Sequence, residues 1–190
     1  MSTVVTPETF IRAETDRMYQ AMINVAGGTN KFYHFRNFPP LDKQVVVRMN
    51  KDALYSGGVF DAEKGVTLNF PEIPDDRYAS VQVLDNDHYL VDIVYKPGEY
   101  KIRSNTRFLY FIIRIQIYSP ADEKEIAMVS AIEDKISVKS ETNGEFPGFH
   151  WDTESLDKLR DEFKTETQKL PNCNGMMGKR GHVAKESKGI

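Results

Sequence analysis

The chain has 190 residues, of which 40% are hydrophobic and 28% charged, and this composition predicts an ordinary globular protein rather than a disordered one. Its 25 basic and 28 acidic residues give a formal net charge of −3, so neither nucleic acid nor an anionic membrane surface is an expected partner. Cys173 is the only cysteine, which excludes an intrachain disulfide, and no metal or other cofactor is expected. The first residues show no basic stretch followed by an apolar run, which predicts a cytoplasmic protein.

The N-terminal residues predict a helix over 6–26. Thr6 can cap it, Pro7 suits its first position, and the pair Gly27-Gly28 ends it. Apolar residues recur on one face, which is expected to pack against the rest of the protein. These residues are Ile11, Met18, Met22 and Val25.

The hydrophobic period changes to two beyond residue 43, which predicts a series of β-strands. The expected strands cover 44–49, 65–70, 78–84, 89–95 and 108–118. In the last of them apolar residues alternate with Arg114 and Gln116, a pattern typical of antiparallel strands with one buried face. Short turns such as 96–99 separate the strands, so an antiparallel β-sandwich or jelly-roll-like core is predicted.

Two further helices are predicted in the second half of the chain. One follows 119–122, with an apolar face made by Ile126, Val129, Ile136 and either Ala131 or Ile132, and a closing strand is expected within 135–140. The other covers 152–170, where Trp151 and Leu156 are spaced as a hydrophobic staple. We therefore expect one mainly-β (α+β) domain over 1–190, with its β core in 43–140 and a polar tail in 171–190.

No phosphate loop, nucleophile elbow or metal-binding motif is present, so the candidate site rests on polar residues at predicted strand ends. If these strands are neighbours, their ends form one polar rim of the kind that binds small molecules. The expected rim residues are Asn50, Asp52, Tyr55, Ser56, Arg77, Asp85, Asp87 and His88.

Three chemical interpretations of this rim remain open. Ser56 serves as a nucleophile with His88 as base and Asp52 or Asp85 orienting it, while Gly57-Gly58 approaches an oxyanion. Alternatively, Asp85, Asp87 and His88 bind a cation, although Leu90 and Lys96 stand where a calcium loop needs Gly and Glu. The third interpretation uses two carboxylates for glycosidic chemistry.

Structural roles explain many of the same residues. Asp and Asn beside Gly commonly form turns, and Arg77 can pair with Asp75, Asp76 or Asp85. His34 lies among Phe32, Tyr33, Phe35 and Phe38, where packing is the simpler interpretation. Among the four histidines, His88 therefore has the best functional claim.

The stretch around Arg48–Tyr89 resembles the family called domain of unknown function 1254. The matching positions are Asn50, Asp52, Leu54, Tyr55, Ser56, Asp61, Arg77, Tyr78 and Asp85. The likeness begins near Lys43 and extends through the Pro97-Gly98 turn to the helix that ends at Leu170. It implies a β-sandwich or jelly-roll core with flanking helices, and it implies no particular activity.

The sequence departs from the family pattern in places. Lys51 stands where Arg is usual and Ala53 where Thr is usual. The second domain of unknown function that many relatives carry is absent, and the tail stops before a Trp-Gly-Gly stretch, so a single-domain, C-terminally short member is expected.

The resulting functional hypothesis is a domain that binds a small molecule or carbohydrate. The alternative is a carboxylesterase-like or glycosidase-like hydrolase that uses Ser56, or paired carboxylates, with His88. A second alternative is a homo-oligomeric interaction protein, with its interface on the 108–118 strand and the apolar stripe of the first helix.

Overall fold

A computed structural model of the chain describes residues 2–38, 51–170, 172 and 175–182. The helices are α1 (Phe10–Ala26), α2 (Glu123–Glu133) and α3 (Thr153–Thr167). The strands are β1 (Lys31–Phe35), β2 (Ala53–Asp61), β3 (Val66–Phe70), β4 (Ala79–Asp85), β5 (Leu90–Val94), β6 (Gly98–Ile102), β7 (Phe108–Gln116) and β8 (Ser137–Ser140).

The strands form two antiparallel sheets. The larger has the order β1-β2-β7-β4-β5, and the smaller has the order β6-β3-β8. One hydrophobic core contains side chains from both sheets, including Phe111 and Ile113 of β7 and Leu68 of β3, so the sheets pack face to face. The predicted mainly-β sandwich-type fold with three helices is therefore confirmed.

Helix α1 covers the outer face of the larger sheet. Its Tyr19 and Met22 are buried against Val59 of β2 and Phe108 of β7. Glycine allows the helix to approach β2 closely, because a Cβ at Gly57 would lie 2.6 Å from Met22 Sδ. The first helix is thus a packing helix, as its pattern predicts.

The start and the buried face of α1 differ from the predictions. Residues 6–9 form a turn in which Thr6 N–H donates to Thr9 Oγ1 at 2.9 Å, so the helix begins at Phe10 rather than at residue 6. Its end is confirmed at Gly27, which adopts the left-handed conformation. Ile11 and Val25 remain 53% and 49% exposed, because the buried residues of the helix are Ala13, Thr15, Tyr19 and Met22 instead.

The strands match the predicted order with three additions, of which β2 (Ala53–Asp61) runs through residues that were expected to follow a strand end. β1 lies in the aromatic run that sequence reasoning assigned to packing, and β6 begins at Gly98 directly after the predicted turn. The predicted strand over 44–49 lies outside the described residues. β7 is an interior strand between β2 and β4, so both of its edges are paired within the sheet, and the homo-oligomer interface stays a prediction.

The last two helices hold their predicted positions. Asp122 caps α2 by accepting the Lys124 N–H, and Asp152 caps α3 by accepting the Ser155 N–H. Ile132 rather than Ala131 completes the buried face of α2. Among the described residues, no helix has the length and apolar character needed to cross a bilayer. The cytoplasmic location and the single-domain organisation stay predictions.

Candidate functional site

The turn between β4 and β5 carries three of the predicted site residues. Asp85 Oδ1 accepts the backbone N–H groups of Asp87 and Tyr89, both at 2.9 Å, which is how aspartate commonly closes a turn. His88 has a positive φ of 64°, and its Nδ1 lies 3.1 Å from the Thr15 hydroxyl of α1. Burial lowers the pKa of His88 despite the nearby Asp85 carboxylate, so the imidazole is neutral at pH 7.

A cleft of about 520 Å³ opens between α1, this turn and residues 146–151. We call it the α1 cleft. Its size falls within the range that binds small molecules, roughly 300–1,000 Å³. Polar and aromatic side chains line it, among them Arg12, Asp16, Asn86, Asp87, Phe146 and Trp151.

Asp16 is the acceptor at the centre of the α1 cleft. It receives hydrogen bonds from Asn86 Nδ2 at 2.6 Å and from Trp151 Nε1 at 2.8 Å. Burial raises the pKa of Asp16, although the hydrogen bond from Trp151 works in the opposite direction. The carboxyl group is therefore positioned by two fixed donors from different parts of the chain.

Arg12 and Asp87 form the neighbouring pair. Arg12 Nε donates to Asp87 Oδ1 at 3.0 Å. Burial alone would raise the pKa of Asp87, but hydrogen bonds from Arg12 and Arg180 outweigh it and lower this pKa. Arg12 and Asp16 are four residues apart on α1 and bond to Asp87 and Asn86, which are consecutive residues of the turn.

Arg107 also lines the α1 cleft, and a buried carboxylate holds its guanidinium in place. Its Nε and Nη2 donate to the two oxygens of the fully buried Asp61, at 3.1 and 3.2 Å. Asp61 also accepts the Gly144 N–H at 2.7 Å. Burial would raise the pKa of Asp61, but the hydrogen bonds from Arg107 and Gly144 lower it, so a carboxylate holds the guanidinium in place.

Three other predicted site residues lie at the opposite end of the larger sheet. Arg77 is buried and donates to Gln116 O at 2.6 Å and to Glu125 Oε1 at 2.7 Å, so it fastens α2 to the sheet. Asp75 is a distant second partner at 3.9 Å. Tyr55 pairs in register with Arg114 of β7, and the backbone oxygen of the exposed Asp52 accepts the Ile117 N–H at 2.8 Å. Asn50 lies outside the described residues.

The structure therefore does not gather the predicted residues into one rim. Ser56 lies opposite Ile113 of β7, whereas Asp85 lies opposite Leu109, four residues along the same strand. That separation corresponds to about 13 Å, and His88 lies beyond Asp85. The proposed Ser56–His88 pair is not formed, and the only side-chain hydrogen bond found for His88 among the described residues is to Thr15 rather than to a carboxylate.

Ser56 instead belongs to a buried polar cluster with His34 and Glu133. The Ser56 hydroxyl donates to Glu133 Oε1 at 2.6 Å, and His34 Nδ1 lies 2.8 Å from Ser56 Oγ. Since Ser56 gives its proton to the carboxyl group, His34 donates through Nδ1. Burial raises the pKa of Glu133 to about 7, and Glu133 Oε2 has no partner among the described residues. Burial together with the Arg36 charge lowers the pKa of His34.

The glycines after Ser56 do not form an oxyanion hole. β2 lies between β1 and β7, so the amides of Gly57 and Gly58 belong to the sheet ladders. A Cβ at Gly58 would lie 2.5 Å from Lys31 O, which explains why no larger residue fits there. These glycines permit close packing, and the serine-nucleophile interpretation loses its oxyanion donors as well as its base.

Sequence reasoning missed Asp16, Trp151, His34 and Glu133. Glu133 carried a usable signal, because it falls four residues after Val129 on the apolar face of α2, where a carboxylate is unusual. Asp16 carried none, since its four-residue spacing from Arg12 suggests an ordinary pair within the helix. In the described part of the chain, no three His, Cys, Asp or Glu side chains are grouped to hold a metal ion.

Residues 29–98 match the sequence model of a family described as protein of unknown function (DUF1254). Over this segment the chain is similar to DUF1254. The match confirms the resemblance drawn from Asn50 to Asp85, and it begins earlier than the expected Lys43. The DUF1254 segment includes β1 to β5 and the β4–β5 turn, whereas α1 and Trp151 lie outside it.

No curated protein matches the chain. Among solved structures, the VPA0106 protein from Vibrio parahaemolyticus is similar, with a TM-score of 0.66 and 11% sequence identity. The similarity covers 94% of this chain and 62% of that protein, so this chain spans less than two thirds of its length. At such low identity the likeness shows a shared fold and no more.

Proposed function

We propose that this protein binds a small, uncharged, polyhydroxylated molecule of the carbohydrate class in the α1 cleft. The observation that carries the proposal is the arrangement around Asp16, whose carboxyl group is held by Asn86 and Trp151 inside a cleft of about 520 Å³. Carboxylate, amide and guanidinium groups offer paired donors and acceptors to vicinal hydroxyl groups, and the faces of Trp151 and Phe146 offer apolar surface.

The charges in the α1 cleft favour a neutral ligand. Arg12 is bonded to Asp87 and Arg107 to Asp61, so each guanidinium already faces a carboxylate. A strongly anionic or cationic ligand would have to displace one partner of these ion pairs. A neutral ligand can donate and accept hydrogen bonds while both ion pairs stay intact.

The test uses the intrinsic fluorescence of Trp151, because it is the only tryptophan in the chain and lines the cleft. We expect a saturable change when wild-type protein is titrated with glucose, galactose, N-acetylglucosamine, maltose and cellobiose. Asp16→Asn removes a charged acceptor and should weaken binding of the responding sugar about tenfold, since hydrogen bonds to charged groups contribute about 1.5–3 kcal/mol.

The matched control is Asp161→Asn, an equal change at an exposed position of α3 outside the cleft, which should bind like the wild type. An absence of any saturable response across the sugar panel, or equal weakening by both variants, would contradict the proposal.

Hydrolysis of a bound glycoside is a second candidate function, favoured by the two carboxyl groups of the α1 cleft. The pKa of Asp16 is raised and that of Asp87 is lowered, which is the combination that an acid and an ionised carboxylate need. Release of 4-nitrophenol from aryl glycosides, compared between wild type, Asp16→Asn and Asp87→Asn, tests it. If a sugar binds but no 4-nitrophenol is released, the binding proposal holds and the hydrolase proposal is contradicted.

A further inference from the structure

The side chain of Arg180 lies between two carboxylates of the β4–β5 turn. Its Nη2 donates to Asp85 Oδ2 at 2.9 Å and to Asp87 Oδ2 at 2.7 Å. The guanidinium also lies over the ring of Tyr89, with 4.2 Å between its central carbon and the ring centroid. Two carboxylates and one aromatic face are the groups that best recognise a planar guanidinium.

The two carboxylates that bind Arg180 are also held by other groups. The Asp85 side chain is only 3% exposed, and its Oδ1 is fixed by the amides of Asp87 and Tyr89. Its other oxygen is left pointing at the guanidinium. Asp87 is held from the opposite side by Arg12, so neither carboxylate needs to move when Arg180 binds.

A backbone contact accompanies the side-chain contact. The Leu90 N–H donates to Gly178 O at 2.9 Å, and Leu90 begins β5, the edge strand of the larger sheet. Segment 175–182 is made of turns and bends, yet it combines a backbone bond to an edge strand with a side chain in a pocket, a pairing of contacts that peptide recognition at sheet edges also uses. A cleft of about 220 Å³ borders the same place, lined in part by Asp85, Tyr89 and Arg180.

We propose that Asp85, Asp87 and Tyr89 form a binding site for the guanidinium of an arginine-containing peptide, which the chain's own segment 175–182 occupies. Arg180 keeps 42% of its side chain exposed, so it can leave without opening the hydrophobic core. Its departure leaves Asp85 without a bonded guanidinium and Asp87 with that of Arg12 alone, among the described residues, which favours entry of another cation.

The test uses full-length Arg180→Ala, in which the site loses its internal occupant. N-acetylarginine methylamide is titrated in while the amide resonances of Asp87, Tyr89 and Leu90 are followed by NMR. We expect saturable shifts in the variant and binding about tenfold weaker in the wild type, where the probe competes with Arg180. Equal responses from the two proteins, or none from the variant, would overturn the proposal.

Further variants separate the site from general effects. Lys179→Ala changes the neighbouring residue and should behave as wild type, because Arg180 still fills the site. Arg180→Ala combined with Asp85→Asn should abolish the shifts, and N-acetyllysine methylamide should bind more weakly than the arginine probe. If Arg180→Ala proves poorly folded, Arg180→Lys keeps the charge and should bind the arginine probe with an intermediate affinity. Trp151 fluorescence reports on the α1 cleft, so the two proposals can fail separately.

Discussion

Replacing Glu133 by Gln should raise the free energy of unfolding at pH 8 by about 3 kcal/mol, since each unit of pKa displacement corresponds to about 1.4 kcal/mol. Glu133 is fully buried, and burial raises its pKa from 4.5 to about 7. Above that pH the folded protein must hold a buried negative charge. Glutamine keeps the shape and the acceptor for Ser56 without the charge.

The sign of the pH dependence follows from the raised pKa. Between about pH 4.5 and 7 the folded protein holds a proton on Glu133 that the unfolded chain releases. The contribution of Glu133 to stability is therefore complete below pH 4.5 and is lost as the pH rises through about 7. His34 has the opposite effect. Because its pKa is lowered in the folded protein, its contribution to stability is present at higher pH and is lost as the pH falls through this lowered pKa.

Urea unfolding of wild type and Glu133→Gln at several pH values between 4 and 8 measures this difference. Glu123→Gln is the matched control, since it removes a carboxylate from the exposed first turn of the same helix. The control should keep the wild-type slope between pH 4.5 and 7. An unchanged slope in Glu133→Gln as well would mean that Glu133 titrates normally in the folded protein.

Replacing Gly58 by Ala should destabilise the protein by about 3 kcal/mol or more, at the upper end of overpacking effects. The added Cβ would lie 2.5 Å from Lys31 O, 2.8 Å from a ring carbon of Phe60 and 2.9 Å from one of Phe32. A backbone oxygen paired within the sheet cannot move aside, so β1 must shift away from β2. Thermal and urea unfolding monitored by circular dichroism measure the loss.

Gly57→Ala is the comparison for this second prediction. Its Cβ would face the opposite side of β2, 2.6 Å from Met22 Sδ and 3.1 Å from the Tyr110 hydroxyl. A methionine side chain can adopt another rotamer, so we expect a loss of about 1 kcal/mol. Equal losses of stability for the two substitutions would contradict this prediction. They would show that any added side chain on this part of β2 is equally costly, whether or not it meets the backbone of β1.

The fold was largely predictable because its signals are local. Alternation along 108–117 specifies the buried face of β7, and the cap residues Asp122 and Asp152 specify where α2 and α3 begin. The first helix shows the limit of such signals. Thr6 and Pro7 satisfy the rules for a helix start, yet a tighter turn through Thr9 delays the helix to Phe10.

The candidate site was less predictable because it depends on strand pairing far apart in sequence. Arg77 comes just before β4 and Asp85 ends it, so the two residues lie at opposite ends of the sheet. No sequence pattern states that β7 lies between β2 and β4, and that arrangement fixes the distance between Ser56 and His88. Asp16 and Trp151 meet only because α1 packs beside residues 146–151.

A parallel bridge joins Thr3 to Trp151, with Thr3 N–H donating to His150 O and Asp152 N–H donating to Thr3 O. Thr3 is therefore hydrogen-bonded to residues 150–152, which follow it in the sequence by about 150 positions. During synthesis, which releases the N-terminus first, the α1 cleft stays incomplete until residue 152 has emerged, long after the strands of the larger sheet are available. Binding of a ligand in the α1 cleft would then require residues 146–151 to have docked beside α1. A protein in which only the sandwich had folded would not bind it.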